Sequence, residues 1–347
     1  MANDTKPLLS VRNLKTYFFQ DEGTVKAVDG ATFDVFAGKT LGIVGESGCG
    51  KSVTARSILR IVERPGRIVE GEIILLQDGT GVDLTRFDPD GKPMRAIRGS
   101  EIGLVFQEPM TSFSAHYTIG NQIVEAIRLH NNISNEGARQ QAVEALRMVG
   151  IPKPERRMDE YSFQLSGGLR QRAMIAMALS CNPRLLIADE PTTALDVTTQ
   201  AQILDLLRDL QKQRGMAIML ITHNLGVIAE MADDVVVMYL GRVVEEGPVH
   251  DIFHAPKHPY TQALLRSIPS IKSKPRIKLP TITGSIPHPY NRPPGCPFHP
   301  RCPNVMPGKC DVDVPGLLPA GNRQQVSCFL YEQRSVNRKQ STVNSQQ

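Results

Sequence analysis

Apolar residues along this chain recur with two different periods, and the places where one gives way to the other predict its elements. Residues 8–18 and 31–36 read as strands, and Thr40–Val44 is a compact apolar run of the kind buried in a sheet. From Lys51 onward Ala55, Ile58, Leu59 and Val62 repeat at helical spacing. Residues 71–76 and 102–106 again read as strands. Residues 119–129 and 138–149 then follow a helical period, which predicts an inserted helical unit over about 108–165, punctuated by Pro152 and Pro154. A helix over 173–179, a buried strand over 185–188, a helix marked by Ile203, Leu206, Leu207 and Leu210, and a strand over 217–222 complete the pattern. Strands alternating with helices predict an α/β fold, a parallel sheet with helices on both faces.

The character changes near residue 264. Thirteen of the 25 prolines lie beyond it, and proline cannot donate to helix or sheet ladders, so no regular core is expected there. The polar stretch from Arg334 to Gln347 is expected to be disordered. The net charge of +5 is uneven: residues 264–347 carry 12 Lys/Arg against 3 Asp/Glu. These charges do not cluster into runs, so they read as a solvated extension and not as a nucleic-acid surface. The longest apolar run, 216–221, falls far short of the roughly 18 residues needed to span a bilayer. The first residues lack the layout of a signal peptide. The expectation is a cytosolic chain that reaches a membrane only through partners.

Between the strand Thr40–Val44 and the helix that follows lies Gly45-Glu46-Ser47-Gly48-Cys49-Gly50-Lys51-Ser52, which fits the phosphate-cradling P-loop G-x-x-x-x-G-K-[ST]. Its glycines let successive N–H groups turn inward, and the helix start adds its positive dipole end. Lys51 is placed to reach the β/γ-phosphates of a nucleotide, and Ser52 to hold Mg²⁺. The apolar strand ending in Asp189 and Glu190 is expected beside the P-loop strand, with Asp189 in the Mg²⁺ shell and Glu190 as general base. Gln107 and His223 each follow a strand, where α/β sheets bind ligands, but alone each is a weak signal. Ser166-Gly167-Gly168 runs straight into a helix and forms a second phosphate-binding helix start. One nucleotide has no obvious need of two cradles, so two chains facing each other are expected, each lending its second cradle to the other.

With these stretches in order, the chain resembles the ATP-binding subunits of ATP-binding-cassette (ABC) importers of the oligopeptide/dipeptide/nickel group. The resemblance implies a P-loop ABC cassette with an antiparallel β subdomain, an inserted helical subdomain and a Cys/Pro-rich extension. It makes Gln107 the Q-loop, with a place near Mg²⁺ and the reacting water. It makes 165–168 the signature, Asp189/Glu190 the Walker B pair, Ala194-Leu195-Asp196 the D-loop and His223 the switch. It maps the adenine-stacking aromatic to Phe18, with Tyr17 the fallback. The importer subgroup rests on His258-Pro259-Tyr260-Thr261, on Leu264-Leu265 with Ile268-Pro269, and on Cys-Pro-Phe-His-Pro-Arg-Cys at 296–302. Two departures stand out: Leu169 where the signature generally ends in Gln, and Ser112-Phe113-Ser114-Ala115 where the peptide group has a Leu-Asn-Pro-like run.

The resemblance implies an ATPase that powers uptake of a solute, di- or oligopeptides first, with nickel, opines or glycosides as alternatives. A soluble non-transport ABC ATPase or a non-catalytic nucleotide-binding module is the reading to exclude. The implied partners are transmembrane permease subunits, a second ATP-binding subunit (identical or a paralogue) and, indirectly, an extracytoplasmic solute-binding protein, with no nucleic acid. The implied place is the cytoplasmic face of the inner membrane. The expected division is a cassette over 8–263, an extension over 264–330 and a disordered tail over 331–347. Of six cysteines, Cys49 and Cys181 read as structural or incidental. Cys296, Cys302, Cys310 and Cys328 are separated by 5, 7 and 17 residues; in a cytosolic chain that leaves a metal site or nothing. The resemblance implies a [4Fe–4S] cluster, with zinc as the alternative.

Overall fold

The computed structural model describes residues 6–108, 112–193, 195–268 and 282–332. In chain order these form β1 (Leu9–Gln20), β2 (Gly23–Val35), β3 (Thr40–Val44), α1 (Lys51–Ile58), β4 (Gly66–Gln77), β5 (Thr80–Asp83), α2 (Lys92–Ile97), β6 (Ile102–Val105), α3 (Ile119–His130), α4 (Asn135–Met148), α5 (Pro154–Arg157), α6 (Gly167–Leu179), β7 (Leu185–Asp189), α7 (Val197–Arg214), β8 (Ala217–Ile221), α8 (Leu225–Met231), β9 (Asp234–Tyr239), β10 (Arg242–Pro248), α9 (Val249–His254), α10 (Pro259–Arg266), β11 (Leu318–Pro319) and β12 (Gln325–Val326). Strands and helices alternate over β6 to β9, as the α/β expectation requires.

Two sheets organise the molecule. The N-terminal one is antiparallel, in the order β2-β1-β4-β5. The larger has the order β11-β12-β10-β9-β3-β8-β7-β6, parallel from β9 to β6 and antiparallel beyond. β3, β7 and β8 are buried along their whole length, which is why they read as continuous apolar runs and not as alternating ones. One core lies between the two sheets, around Leu9, Phe33, Ile43, Ile58 and Ile187. The other face of the large sheet packs on α3, α4, α6, α7 and α8 through Ile123, Leu146, Met174, Leu207 and Ile228.

Helix starts follow the sequence chemistry. Thr118, Ser134, Ser166 and Asp196 cap α3, α4, α6 and α7, each side chain accepting a backbone N–H of the first turn. Gly215, in the left-handed region, ends α7.

Three expectations change. β8 lies between β3 and β7, so the Asp189 strand is not the neighbour of the P-loop strand. The proline-rich extension supplies β11 and β12 to the edge of the main sheet and buries Phe298 and Val326, so it borrows the cassette's core where it builds none of its own. Tyr331 and Glu332, placed in the tail by the sequence, are ordered: Tyr331 donates its hydroxyl to Lys257 O (3.3 Å), and Glu332 pairs with Lys309. Residues 333–347, and Ala194 and Pro269 of the quoted motifs, lie outside the described residues.

Candidate functional site

Four parallel strands deliver the motif residues to one end of the sheet. β3 runs into the P-loop, β7 ends at Asp189 before Glu190, β8 leads through Thr222 to His223, and β6 leads through Phe106 to Gln107. The carboxyl ends of parallel strands are where open α/β sheets bind ligands.

The P-loop's shape depends on glycine at Gly50. Its φ is +97°, and a Cβ there would stand 2.2 Å from the Ala27 carbonyl oxygen. Ser47 and Gly48 remain exposed at the mouth. Lys51 is buried, and its Nζ donates to the carbonyls of Gly45 (2.9 Å) and Glu46 (3.2 Å), so the ammonium waits on the loop it closes. Cys49 is different: its side chain is core, 3% exposed, and its N–H donates within the loop to Glu46 O (3.3 Å). Burial pushes its thiol pKa up, with Lys51 opposing. The thiol is therefore packing, which leaves only the backbone of Cys49 to the loop.

Glu190 stands at the centre of the second group. Its N–H donates to Ile221 O (2.8 Å) and its φ is +47°. That left-handed turn is uncommon for a side chain of this size and costs roughly 1–2 kcal/mol; it breaks β7 so that the carboxylate faces the loop ends. Oε1 lies 3.0 Å from His223 Nδ1, and Oε2 accepts from Thr193 Oγ1 (2.8 Å) and Gln107 Nε2 (3.3 Å). Burial pushes this carboxyl up, but the hydrogen bonds of His223 and Thr193 outweigh it and hold the group below the usual glutamate range. It is ionised at neutral pH.

Asp189 behaves oppositely. It is 7% exposed, burial raises its pKa, and the hydrogen bond from Ser52 opposes the rise only in part. Its Oδ1 is buried with no partner. A buried carboxylate oxygen left unpaired beside a serine hydroxyl is a site for a divalent cation. Although β8 separates the two strands, α1 packs against β7 and brings Ser52 to Asp189.

The second cradle lies elsewhere. Ser166 caps α6, its Oγ accepting from Leu169 N–H (3.4 Å), while Ser166 and Gly167 stay exposed. Gly168 lies tight on α7, where a Cβ would meet Thr199 Cγ2 at 2.8 Å. Phe18 is half-buried, its ring close to Gly66. Tyr17, the fallback, is committed: its hydroxyl donates to Asp29 (2.5 Å), which Arg242 and Arg292 also hold.

Glu46, read from the sequence as a nucleotide-binding residue, faces the extension. Its N–H donates to Tyr260 Oη (2.8 Å), and Arg301 holds its carboxylate with two nitrogens. Thr193, Tyr239, Tyr260 and Arg301 were not assigned to the site from sequence. Tyr260 and Arg301 belong to stretches that served only to mark the subgroup, and no spacing rule links them to a P-loop some 200 residues away.

Cys296, Cys302, Cys310 and Cys328 line one small cavity with His258, Phe298 and Phe329. Burial raises the thiols of Cys296, Cys302 and Cys328, the last to about 11. Among the described residues no group of three or more His, Cys, Asp or Glu is arranged to hold a metal ion.

The chain is similar to known proteins over most of its length. Residues 28–193 match the ABC transporter family and residues 244–310 the oligopeptide/dipeptide transporter C-terminal region. The chain is 52% identical to the oligopeptide transport ATP-binding protein AppD of Bacillus subtilis, over 95% of this chain and 98% of that protein. It is 46% identical to the dipeptide transport ATP-binding protein DppD of Escherichia coli, over 92% and 96%. Among solved structures, a dimeric bacterial ABC transporter cassette aligns with a TM-score of 0.61 at 27% identity, over 70% of this chain and 98% of that one. A post-hydrolysis dimer of such a cassette bound to ADP and Pi aligns with the same score.

Proposed function

Since the chain belongs to the ABC transporter family, as an ATP-binding subunit of the oligopeptide/dipeptide type, we propose that it hydrolyses ATP to power peptide uptake through partner membrane permeases. The observation that carries the hydrolytic reading is the grouping of Glu190, His223, Gln107 and Thr193 beside Asp189 and Ser52, at the end of the strand system that bears the P-loop.

Each residue then has a task. The N–H groups of Gly48, Cys49, Gly50, Lys51 and Ser52 cradle phosphate, and Lys51 transfers its ammonium from the Gly45 and Glu46 carbonyls to phosphate oxygens. Phe18 stacks on adenine. Ser52, Asp189 and Gln107 would hold Mg²⁺, which when bound would offset phosphate charge. Glu190 takes the proton of the attacking water. Its low pKa makes it a weak base in the empty site, and the γ-phosphate's negative charge, arriving beside it, raises its proton affinity. His223 and Thr193 aim the carboxylate. Ser166, Gly167 and Gly168 face a nucleotide held by a second cassette, identical or a paralogue, so closure of the pair completes the site. Tyr161 and Phe163 stack at 5.4 Å on the helical insert and remain exposed with Tyr117. Such a grouped aromatic surface suits permease docking on the cytoplasmic side of the membrane.

The peptide assignment rests on the C-terminal match and on the naming of the relatives. Its test is ATP turnover by the chain co-purified with its permeases. Peptide-loaded binding protein is expected to raise turnover several-fold; stimulation by nickel or glycoside but not by peptide would refute the assignment.

For the extension we propose that Cys296, Cys302, Cys310 and Cys328, which share one cavity without being arranged here as a metal site, draw together on one [4Fe–4S] cluster. Support comes from the convergence of all four thiols on one cavity and from the lack of the close C-x₂₋₄-C pairs of zinc ribbons. Anaerobically purified protein is expected to be brown, with about four irons and four sulfides per chain. Cys302→Ser should bleach it and spare ATP binding. Colourless anaerobic protein with stoichiometric zinc would replace cluster by zinc.

A further inference from the structure

The residue that the C-terminal extension places against the P-loop is Arg301. Its guanidinium makes four directed contacts. Nη1 and Nη2 reach Glu46 Oε2 (2.8 Å) and Oε1 (3.1 Å), Nη1 also reaches Tyr239 Oη (3.3 Å), and Nε donates to Thr283 O (3.2 Å). The Arg301 side chain is 4% exposed and that of Glu46 22%, so the forked pair is partly screened from water and salt.

The support behind Arg301 is rigid. Tyr239 of β9, Tyr260 of α10 and Phe298 of the extension form a closed ring cluster with centroids 4.7–5.4 Å apart. Burial lowers His258 to about pH 3, so it is a neutral acceptor for the Tyr260 N–H (3.0 Å). Fully buried Glu245 accepts from the N–H groups of Lys257 and His258 and from Gln324 Nε2 (2.7 Å), which joins α10 to the extension.

Beyond the Cys49 N–H that its carbonyl accepts, Glu46 is held by three side chains. Arg301 takes its carboxylate, Tyr260 takes its N–H, and Lys51 donates to its carbonyl from the phosphate side. Lys51 also donates to the Gly45 carbonyl, so a shift of Glu46 moves the perch from which the ammonium reaches phosphate. The same extension touches the opposite wall: Arg292 Nη1 lies 2.9 Å from Asp29 Oδ2, and Asp29 also accepts from Tyr17, the neighbour of Phe18.

We propose that Arg301 is a positioning residue for ATP, acting through Glu46 to keep the P-loop in its phosphate-receiving shape, so that the extension is a working part of the nucleotide site. This rests on the ATP-site reading above. A loop that spends only a tenth of its time in the competent shape binds with tenfold weaker apparent affinity. Once ATP is bound, phosphate contacts restore the shape themselves, so turnover at saturation is spared.

The experiment measures ATP affinity and ATPase kinetics of the full-length chain with its membrane partners. Arg301→Ala is expected to raise KM for ATP about tenfold, with kcat within about twofold. Arg301→Lys, a point charge without the fork, is expected to raise it about threefold; it serves if the alanine variant fails to fold. Glu46→Ala combined with Arg301→Ala should be no more than about twofold worse than Arg301→Ala alone, because both act on one contact. A merely structural residue would lower kcat per chain and leave KM unchanged. An unchanged KM in both Arg301 variants, or effects that multiply in the double variant, would overturn the proposal. Lys51→Ala separates the two readings: if it binds ATP like the wild type, the ATP site itself is wrong and the brace falls with it. If Lys51→Ala loses ATP and the Arg301 variants do not, only the brace falls.

Discussion

Glu190→Gln is expected to lower steady-state ATP turnover by about 10²–10⁴-fold while ATP still binds. That range corresponds to roughly 3–5 kcal/mol of barrier. The amide keeps the size of the carboxylate and can still accept from Thr193 and Gln107, so the left-handed turn at the end of β7 should survive. It cannot take the water's proton, and it loses the charge that faces His223. The variant should also accumulate a closed, ATP-loaded pair, because hydrolysis is what resets the closed state. Phosphate release at saturating ATP measures the first effect, and gel filtration with ATP the second. Turnover within a few-fold of wild type would remove Glu190 from the role of base.

Lys51→Ala acts one step earlier and should weaken ATP binding by about 100-fold or more. A hydrogen bond to a charged group contributes about 1.5–3 kcal/mol, and two such contacts to phosphate correspond to roughly 10²–10⁴-fold in affinity. In the empty site the buried ammonium rests on the Gly45 and Glu46 carbonyls and near the Cys49 sulfur (3.7 Å). Titration with a fluorescent ATP analogue reads the loss. Ser166→Ala serves as contrast: its cradle is proposed to face the partner's nucleotide, so the free subunit should keep its affinity within about twofold. Equal affinity of Lys51→Ala and wild type would contradict the P-loop assignment.

The P-loop and the Walker B strand were legible because their information is local. The glycine spacing of the P-loop is complete within eight residues, although the Ala27 carbonyl that forbids a Cβ at Gly50 lies outside them, and β3, β7 and β8 are buried on both faces, so each writes itself as an unbroken apolar run. The Val-Val-Val-Met run of β9 is of the same kind and was as legible, although no element was assigned to residues 225–263. Phe18 over Tyr17 was not decided by the residues, since either ring stacks on adenine; the structure adds that the Tyr17 hydroxyl is held by Asp29. His223 and Gln107 were weak signals singly. They gain meaning only where Glu190, 33 and 83 residues away, receives both.

By itself, then, the sequence determined that this chain has a P-loop on a parallel sheet, a second helix-start cradle and an acidic strand end. Each is a short stretch whose backbone needs are met by its own residue types. Only the tertiary structure decided strand order, because nothing in β7 says that β8 will lie between it and β3. Only it showed that Asp189 keeps a buried oxygen without a partner, a matter of which groups burial happens to leave out. And only it brought Arg301 to Glu46 across 255 residues. A forked ion pair has no period and no spacing; it exists because the aromatic cluster of Tyr239, Tyr260 and Phe298 packs the extension against the back of the loop.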